Sequence, residues 1–255
     1  MDEKYWDRVA RDYDGEIFDS LASDKGGVML RHLDRFAAPG PRGGTAFDVG
    51  CGVGKYAPAL SKRFKAVHAA DLSAECIRRA RAAHGRLKNV TFYKGDLSKS
   101  SVAGGKPGKA VFILCTNVLI MPSEKMRAGI LKRLAGMLTP GGGLLLLVPS
   151  LESSLYAHAR RIEWRKRSPK ARVLPSTTLT GPGGQDVLKG LLGIDGVPTK
   201  HWLREELQVA LRAAGFVVEA VDKVEYGWDT EFANPPRWMK DPYPWDWAVA
   251  ARRSR

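Results

Sequence analysis

The pattern of apolar positions along the chain predicts an α/β protein. Five short apolar runs are separated by segments in which apolar residues recur at helical spacing. The runs are residues 45–50, 65–72, 89–97, 109–120 and 143–150. Strands that alternate with helices of this length are typical of a parallel sheet covered on both faces. Two further runs, residues 216–226 and 245–252, predict an antiparallel pair at the end of the chain. We therefore predict a Rossmann-like, doubly wound sheet of seven strands with residues 45–50 at its centre.

Two segments fall outside this alternation. Residues 1–40 predict amphipathic helices, because apolar residues from Trp6 to Tyr13 recur at helical spacing. Residues 151–200 form too long a connection for a simple loop between a strand and a helix. In an open parallel sheet the ligand crevice lies at the carboxyl ends of the strands, and we expect this insertion to cap it. The chain is then one domain, residues 1–255, with a cofactor-binding core of residues 41–150 and 201–255.

The chain is strongly basic, with 41 Lys and Arg against 27 Asp and Glu and a formal net charge of +14. Such a surplus attracts polyanions, anionic membrane surfaces or acidic substrates. The basic residues are spread along the chain, however, and only residues 160–172 are dense, with Trp164 as their one aromatic residue. A single-strand binder should offer more stacking platforms. We therefore predict no more than weak binding of nucleic acid.

Cysteine usage and the apolar content of the chain predict a cytoplasmic protein without a metal site. Cys51, Cys76 and Cys115 lie far apart, without metal-ligand or disulfide spacing, which suits a reducing cytosol. The N-terminus is charged from the start and has no signal-peptide core. The longest apolar run, residues 141–150, is too short to span a bilayer, so we expect no membrane anchor.

A glycine-rich stretch, "DVGCGVGKY" at residues 48–56, follows the first predicted strand. Its glycines permit a tight turn and the close approach of a ligand to backbone N–H groups. Asp71 ends the second predicted strand, where a carboxylate can accept hydrogen bonds from both hydroxyls of a ribose. Asp96 ends the third strand, where it can accept from an adenine amino group. These positions predict a site for an adenosine-containing ligand.

The acid that leads into the glycine turn distinguishes between two classes of cofactor. A dinucleotide places its pyrophosphate at this turn, and the carboxylate of Asp48 would repel it. S-adenosylmethionine instead brings a sulfonium and an ammonium group, which a carboxylate attracts. The spacing of the glycines also differs from the G-x-G-x-x-G of dinucleotide sites. The residues therefore favour S-adenosylmethionine over NAD.

Asp71 and four stretches of the sequence resemble the class I S-adenosylmethionine-dependent methyltransferases, in their small-molecule branch. The stretches are "DVGCGVGKY", "GDL" at 95–97, "CTNVLIMP" at 115–122 and "LTPGGGLLLLVPS" at 138–150. The resemblance runs from about residue 4 to 150 and resumes at about 200–225. It implies S-adenosylmethionine as cofactor, and "YWDRVARDYD" as a lid helix whose later tyrosine reaches the cofactor's amino-acid end. The implied cofactor-binding residues are Tyr13, Asp48, Gly50, Cys51, Gly52, Gly54, Asp71, Leu72, Asp96, Leu97, Cys115 and Thr116.

Methyl transfer is an in-line displacement that depends on alignment, and it needs a base only when the acceptor is protonated. Many members of the family have an acid near the start of the fourth strand, where this chain has Val111. Many also have a histidine shortly after that strand, where this chain has Met121, which excludes a catalytic histidine there. The remaining candidate bases are His158 and His201. Candidate residues for an aromatic acceptor pocket are Tyr5, Trp6, Tyr156, Trp164, Trp202, Tyr226 and Trp228.

One further stretch, "NPPRW" at residues 234–238, is similar to the loop with which base-modifying methyltransferases stack a flipped base. In those enzymes the loop follows the fourth strand, whereas here it lies between the last two. We interpret it as a proline-rich turn. The sequence thus predicts a methyltransferase for a small-molecule acceptor, as a monomer or homodimer. The alternative is an RNA or protein methyltransferase recruited by the basic surface.

Overall fold

The computed structural model of the protein describes residues 3–13, 17, 19–37, 43–96, 109–168, 177–178, 185–194 and 196–255. The strands within these residues are β1 (Thr45–Val49), β2 (Ala66–Asp71), β3 (Val90–Lys94), β4 (Ala110–Thr116), β5 (Leu138–Pro149), β6 (Thr177–Thr178), β7 (Leu191–Ile194), β8 (Val197–Lys200), β9 (Phe216–Glu225) and β10 (Trp245–Arg253).

Seven of these strands form one sheet in the order β3-β2-β1-β4-β5-β10-β9. The five strands from β1 to β5 pair in parallel, and β10 pairs antiparallel with both β5 and β9. This arrangement confirms the predicted seven-stranded sheet, including its antiparallel pair. Because β1 lies between β2 and β4, the carboxyl ends of these three strands meet at the middle of one edge.

Helices cover both faces of the sheet. They are α1 (Glu3–Val9), α2 (Val28–Ala37), α3 (Ala57–Arg63), α4 (Ala74–His84), α5 (Glu124–Met137), α6 (Leu151–Arg167), α7 (Gln185–Leu188) and α8 (Arg204–Ala213). Two 3₁₀ turns, Ala10–Asp12 and Trp228–Thr230, complete the described helical elements. Ser73 caps α4 through a hydrogen bond that its Oγ accepts from the backbone N–H of Cys76 at 3.0 Å. Ser123 caps α5 in the same way, by accepting from the backbone N–H of Met126.

Alternate side chains of each central strand point to opposite faces of the sheet. On one face Phe47, Ile113 and Leu146 pack in the cluster that includes α5 and α8. On the other face Phe112 and Leu114 pack against α2 and α3, and Phe112 stacks on Phe64 with ring centroids 5.0 Å apart. This core orients β1 so that Asp48 points to the face of Phe112 and Leu114.

The insertion after β5 begins with α6 and returns through three short strands, which pair as β6-β7-β8. Its end is fixed to the carboxyl edge of the main sheet. The backbone N–H of Lys200 donates to the carbonyl of Ile120 at 2.7 Å, and that of Trp202 donates to the carbonyl of Pro149 at 2.8 Å. The insertion therefore lies beside the edge at which the glycine turn sits. Its role as a cap over an acceptor remains a prediction.

The Asn-Pro-Pro stretch lies in the connection between the second 3₁₀ turn and β10, with Asn234 exposed and in the left-handed region at φ +54°. This placement confirms that the stretch is a turn. The position after β4, where base-modifying methyltransferases have this loop, is occupied by Asn117. Within the described ranges, no helix is both long and apolar enough to cross a membrane.

Candidate active site

The glycine turn is held at the centre of the sheet by hydrogen bonds to β2. The backbone N–H groups of Gly50 and Cys51 both donate to the carbonyl of Ala70, at 2.8 and 3.0 Å. Gly52 has φ +52°, and a Cβ atom at this residue would lie 2.8 Å from Cζ of Tyr13. Only glycine fits this position without strain, because a side chain there would need both a left-handed backbone and the space of the Tyr13 ring. Gly54 permits the approach of His84.

Asp48 is the least compensated charge of the site. Its side chain is 1% exposed, and neither carboxylate oxygen has a hydrogen-bond partner. Burial, with a smaller effect of Asp71, raises the pKa of Asp48 to about 7. A buried carboxylate without a partner is costly in a folded protein unless a ligand supplies the missing donor. The ammonium group of S-adenosylmethionine is such a donor, and the residues present therefore fit this cofactor.

Asp71 lies at the carboxyl end of β2 with both carboxylate oxygens engaged by the backbone. Gly52 N–H donates to Oδ2 and Ser73 N–H donates to Oδ1, each at 2.9 Å. Burial raises the pKa of Asp71, although these backbone hydrogen bonds oppose the shift. The backbone N–H of Leu72 also stabilises this carboxylate. Its two oxygens have about four acceptor positions in all, so capacity remains for a ribose hydroxyl while the backbone fixes the orientation of the carboxylate.

We expect Asp71→Ala to weaken the binding of S-adenosylhomocysteine by about 10- to 150-fold. This range corresponds to roughly 1.5–3 kcal/mol, the scale of hydrogen bonds to a charged group. Titration calorimetry is the measurement, and Asp34→Ala is the control, because Asp34 is an acid of α2 that pairs with Arg63. Wild-type affinity in the Asp71 variant would contradict the assignment.

Tyr13 lies directly over the glycine turn, at the end of the helical segment that begins with α1. Its hydroxyl approaches Gly52, and the charges of Asp71 and Asp48 act on it. Burial is the main cause of the raised pKa of this phenol, so Tyr13 stays neutral. The structure thus brings Tyr13, Gly52 and Asp48 together. A contact of Tyr13 with the cofactor's amino-acid end remains a prediction.

The other predicted cofactor residues lie along the same edge with differing exposure. Leu72 follows β2 and Thr116 ends β4, and both are half-buried. Asp96 follows β3, and Leu97 lies outside the described residues. The side chain of Cys115 is completely buried in the core, so only its backbone can meet a ligand.

One residue of this edge was missed by the sequence interpretation. Asn117 follows β4 in the left-handed region, at φ +54°, and its backbone N–H donates to the carbonyl of Leu147 at 2.9 Å. Its side-chain Oδ1 is buried and has no hydrogen-bond partner. An asparagine immediately after a buried strand was the available signal, since asparagine tolerates this conformation better than most residues. Asn117 is therefore a further candidate for ligand contact.

Both predicted histidine bases have hydrogen bonds that favour a structural role. His201 is buried, with Nδ1 3.1 Å from the carbonyl oxygen of Thr199, and burial lowers its pKa to about 4. His158 lies on α6, where its Nδ1 is 2.7 Å from the Arg161 guanidinium. Burial and the charges of Arg161 and Arg165 lower the pKa of His158. A catalytic role for either histidine remains a prediction, and a base of low pKa is weak at neutral pH.

Three of the predicted acceptor residues pack against one another. Tyr156 and Trp228 have ring centroids 5.6 Å apart, and Trp228 stacks on Phe232 at 5.7 Å. Trp164 contacts the same Phe232 edge-to-face at 5.8 Å. The rings of Trp164 and Trp228 are almost completely buried, and Met239 closes the cluster. Their contacts are those of a small aromatic core between α6 and the connection before β10.

The remaining predicted acceptor residues occupy separate places. Trp202 is buried in the main core, and its indole N–H donates to the carbonyl of Leu119 at 2.9 Å. Tyr5 and Trp6 contact each other edge-to-face on α1, with centroids 5.1 Å apart. Tyr226 lies beside Asp246, a half-buried acid at the carboxyl edge. The structure therefore does not gather the seven aromatic residues around one pocket, and their contact with an acceptor is untested.

The acid beside Tyr226 was also missed by the sequence interpretation. The Tyr226 hydroxyl donates to Oδ2 of Asp246 at 3.2 Å. Asp246 pairs with Pro149 at the carboxyl end of β5, which places it at the ligand edge of the sheet. Burial raises the pKa of Asp246 to about 7, and Glu231 adds to the shift. The available signal was an acid between two tryptophans in the otherwise apolar run "PWDWAVAAR". Asp246 is thus a titratable candidate at this edge.

A metal centre finds no support in the part of the chain that the structure describes. No group of three or more His, Cys, Asp or Glu side chains there could hold a metal ion.

Comparison with known proteins decides the family. The family model of the methyltransferase domain matches residues 46–142, which contain the glycine turn, Asp71 and β4. An uncharacterized methyltransferase of Mycobacterium tuberculosis is 30% identical over 112 residues, 43% of this chain and 54% of that protein. Residues 46–142 form a methyltransferase domain of the class I S-adenosylmethionine-dependent type. It spans about half the length of the curated relatives that it matches.

Solved structures show the same class I methyltransferase fold over nearly the whole chain. The methyltransferase in complex with the Trm112 methyltransferase activator of Haloferax volcanii has a TM-score of 0.65 at 18% identity, covering 100% of this chain and 98% of that chain. Magnesium protoporphyrin IX methyltransferase of Synechocystis, with bound S-adenosylhomocysteine, has a TM-score of 0.59 at 16% identity, covering 99% and 98%. At these identities the similarity establishes the fold of the class I methyltransferase.

Proposed function

We propose that this class I methyltransferase transfers a methyl group from S-adenosylmethionine to a small-molecule acceptor. The observation that carries the proposal is the buried carboxylate of Asp48, unpartnered at the start of the glycine turn. Asp71, fixed by two backbone hydrogen bonds, supports the ribose end of the same ligand. The family assignment supports this cofactor independently.

When bound, S-adenosylmethionine supplies an activated methyl group. Asp48 would hold its ammonium group, Asp71 would hold the ribose diol, and the backbone at Gly52 would let the ligand approach closely. Tyr13 covers this turn from the lid side. Alignment and desolvation of this kind are the main contributions that a protein makes to an in-line displacement.

An acceptor that carries a proton at working pH also requires a proton acceptor. We propose Asp246 for this role, in preference to His158 and His201. Its pKa is raised to about 7 by burial, which suits proton transfer at neutral pH. Tyr226 holds its carboxylate by a hydrogen bond and fixes its orientation. Because the group lies at the carboxyl end of β5, an acceptor at the ligand edge could reach it.

The insertion of residues 151–200 supports a small acceptor, because its end is hydrogen-bonded to the edge beside the site and can close it. We propose that these residues cap the acceptor, with residues 1–40 as the lid and the rest of the single domain as the cofactor core. A protein with this fold, the Synechocystis enzyme, is a methyltransferase of the small molecule magnesium protoporphyrin IX.

The decisive experiment is a screen of metabolite extracts with the purified full-length chain and S-adenosylmethionine labelled in its methyl group. Mass spectrometry of the labelled product identifies the acceptor and the atom that is methylated. We expect a small labelled product that disappears in the Asp71→Ala variant. Label that enters only RNA or protein would overturn the small-molecule proposal in favour of the alternative.

In the described part of the dense basic segment, residues 160–168, three arginines have internal partners, which argues against a polyanion surface there. Arg160 and Arg167 both form ion pairs with Glu163. Their guanidinium groups also lie over the ring of Trp238, at 5.0 and 4.3 Å from its centroid. Arg161 is buried beside His158. The aromatic face that could stack a base is therefore occupied by the protein's own cations.

We expect replacement of Arg165 and Lys166, which lie on the outer surface of α6, by serine to leave cofactor affinity unchanged. Wild-type and variant proteins should bind RNA only weakly at 150 mM salt, roughly the physiological ionic strength, because few phosphates can be neutralised together. Fluorescence anisotropy with a labelled single-stranded RNA is the measurement. Submicromolar affinity that is lost in this double variant would favour the RNA-modifying alternative.

A further inference from the structure

The lid helix α1 is hydrogen-bonded to the start of α4, two residues after Asp71 of the predicted ribose site. Ser73 Oγ donates to Oδ1 of Asp7 at 2.5 Å, and the backbone N–H of Glu75 donates to the same oxygen at 3.3 Å. Asp7 thus caps the first turn of α4 from another helix, 66 residues away in sequence. These hydrogen bonds lower the pKa of Asp7, so its carboxylate is ionised at neutral pH.

Ser73 connects this cap to the predicted ribose site. Its backbone N–H donates to Oδ1 of Asp71 at 2.9 Å, and its Oγ accepts from Cys76 N–H at 3.0 Å. The single hydroxyl proton of Ser73 is directed to Asp7. Because a serine hydroxyl has one proton, this direction prevents Ser73 Oγ from donating to Asp71. The acceptor capacity of the Asp71 carboxylate that the backbone N–H groups of Gly52, Leu72 and Ser73 leave open therefore stays available for a ligand.

We propose that Asp7 is a positioning residue for the cofactor ribose, acting through Ser73 on the carboxylate of Asp71. The ligand group concerned is the vicinal diol of the ribose, and the inference rests on the proposed function. In the absence of the Asp7 carboxylate, the Ser73 hydroxyl can turn and compete with the diol for Asp71. The lid and the adenosine end of the site are thereby linked through Asp7, the hydroxyl and backbone N–H of Ser73, and the carboxylate of Asp71.

Other contacts attach the lid without touching Ser73, and they provide a control. Glu3 forms an ion pair with Lys94 at the end of β3, at 2.5 Å. Arg79 of α4 donates to the backbone carbonyl of Ala10. Loss of the Glu3–Lys94 pair should loosen the lid while the hydrogen bonds of Ser73 and Asp71 persist. A role in holding the lid can therefore be separated from a role in positioning Asp71.

The test compares two ligands, S-adenosylhomocysteine and its 2′-deoxyribose analogue, by titration calorimetry on full-length protein. The wild type should bind the 2′-deoxyribose analogue clearly more weakly than S-adenosylhomocysteine, because the analogue lacks one hydroxyl group. Asp7→Ala should weaken S-adenosylhomocysteine about 3- to 10-fold, the effect of about one net hydrogen bond. It should leave the deoxy analogue nearly unchanged, so that the difference between the ligands shrinks. Asp7→Asn, which keeps an oxygen acceptor for Ser73, should restore most of the difference.

Glu3→Ala should change the two affinities by the same factor, and thermal unfolding shows whether each variant is folded. Equal weakening of both ligands by Asp7→Ala would overturn the positioning role and leave Asp7 as a lid contact. In that case the ratio of the two affinities would stay at its wild-type value. Failure of the wild type to bind S-adenosylhomocysteine at all would instead overturn the proposed function, and this inference with it.

Discussion

Replacement of Gly52 with valine is expected to abolish binding of S-adenosylmethionine, with affinity reduced by more than about 100-fold, the scale of roughly 3 kcal/mol. The backbone at Gly52 has φ +52°, which a β-branched residue adopts only with strain. The added Cβ would also lie 2.8 Å from Cζ of Tyr13, so the lid residue or the turn must move. Both effects occur where the ligand has to approach the backbone. Titration calorimetry with S-adenosylhomocysteine measures the loss.

A matched control separates backbone strain from the block of the site. Gly141 also has a positive φ, +73°, but a Cβ there would meet no atom within 4 Å. Gly141→Val should therefore carry a strain penalty in thermal unfolding while cofactor affinity stays at the wild-type value. Combining Gly52→Val with Tyr13→Ala removes the clash with the lid ring, and we still expect no binding. Recovery of binding in the double variant would place the effect in the lid and not in the turn.

The second large effect is expected at Asp48. In the free protein its pKa is raised to about 7, by burial and then by Asp71. A ligand with an ammonium group binds preferentially to the ionised carboxylate, so affinity should rise between pH 5.5 and 7 and level off above pH 7. The limiting slope is about tenfold per pH unit, since one proton is released on binding. Calorimetry across this range measures the slope.

Asp48→Asn should weaken binding at pH 8 by about 10- to 150-fold, the scale of a lost hydrogen bond between charged groups. It should also remove the pH dependence, because the titrating group is absent. Asp71→Ala should retain a pH dependence with its midpoint moved to lower pH, since the charge of Asp71 raises the pKa of Asp48. An Asp48→Asn protein with the full wild-type slope would show that another group titrates on binding.

In the absence of ligand, the titration of Asp48 lowers the free energy of unfolding as pH rises, whereas it raises the affinity for the ligand. Asp48 titrates at about 7 in the folded chain, against 3.8 for an ordinary aspartate. Between these values the folded state binds more protons than the unfolded state, so the free energy of unfolding falls as pH rises. Asp48→Asn should therefore raise the free energy of unfolding more at pH 7.5 than at pH 5. Urea unfolding at the two pH values measures this difference.

The elements that sequence predicted well are those whose signals are local. The number of strands, the parallel pairing of the first five and the antiparallel final pair followed from apolar runs and from connections long enough for parallel crossovers. The glycine turn, Asp48 and Asp71 were found because each lies within or next to a strand end. The caps Ser73 and Ser123 are local in the same sense, since each is adjacent in sequence to the helix that it caps.

Features that depend on distant pairs could not be predicted from the sequence. The contact of Asp7 with Ser73 joins residues 66 positions apart, and that of Tyr226 with Asp246 joins the two final strands. The seven aromatic residues had suitable types for a pocket, but type alone does not show which of them meet. Tyr156 and Trp228 contact each other because α6 and the connection before β10 happen to share one small core.

The position of Tyr13 over Gly52 has a kinetic consequence. The segment that holds this ring is fastened by Asp7, Glu3 and the carbonyl of Ala10, all to the cofactor half of the domain. In the proposed reaction, spent cofactor has to leave and fresh cofactor has to enter once in each catalytic cycle. Such opening motions take microseconds to milliseconds and limit the turnover of many enzymes. We therefore expect the rate at which these contacts of Asp7, Glu3 and Ala10 break to set the upper limit of the turnover rate, whatever the speed of the chemical step.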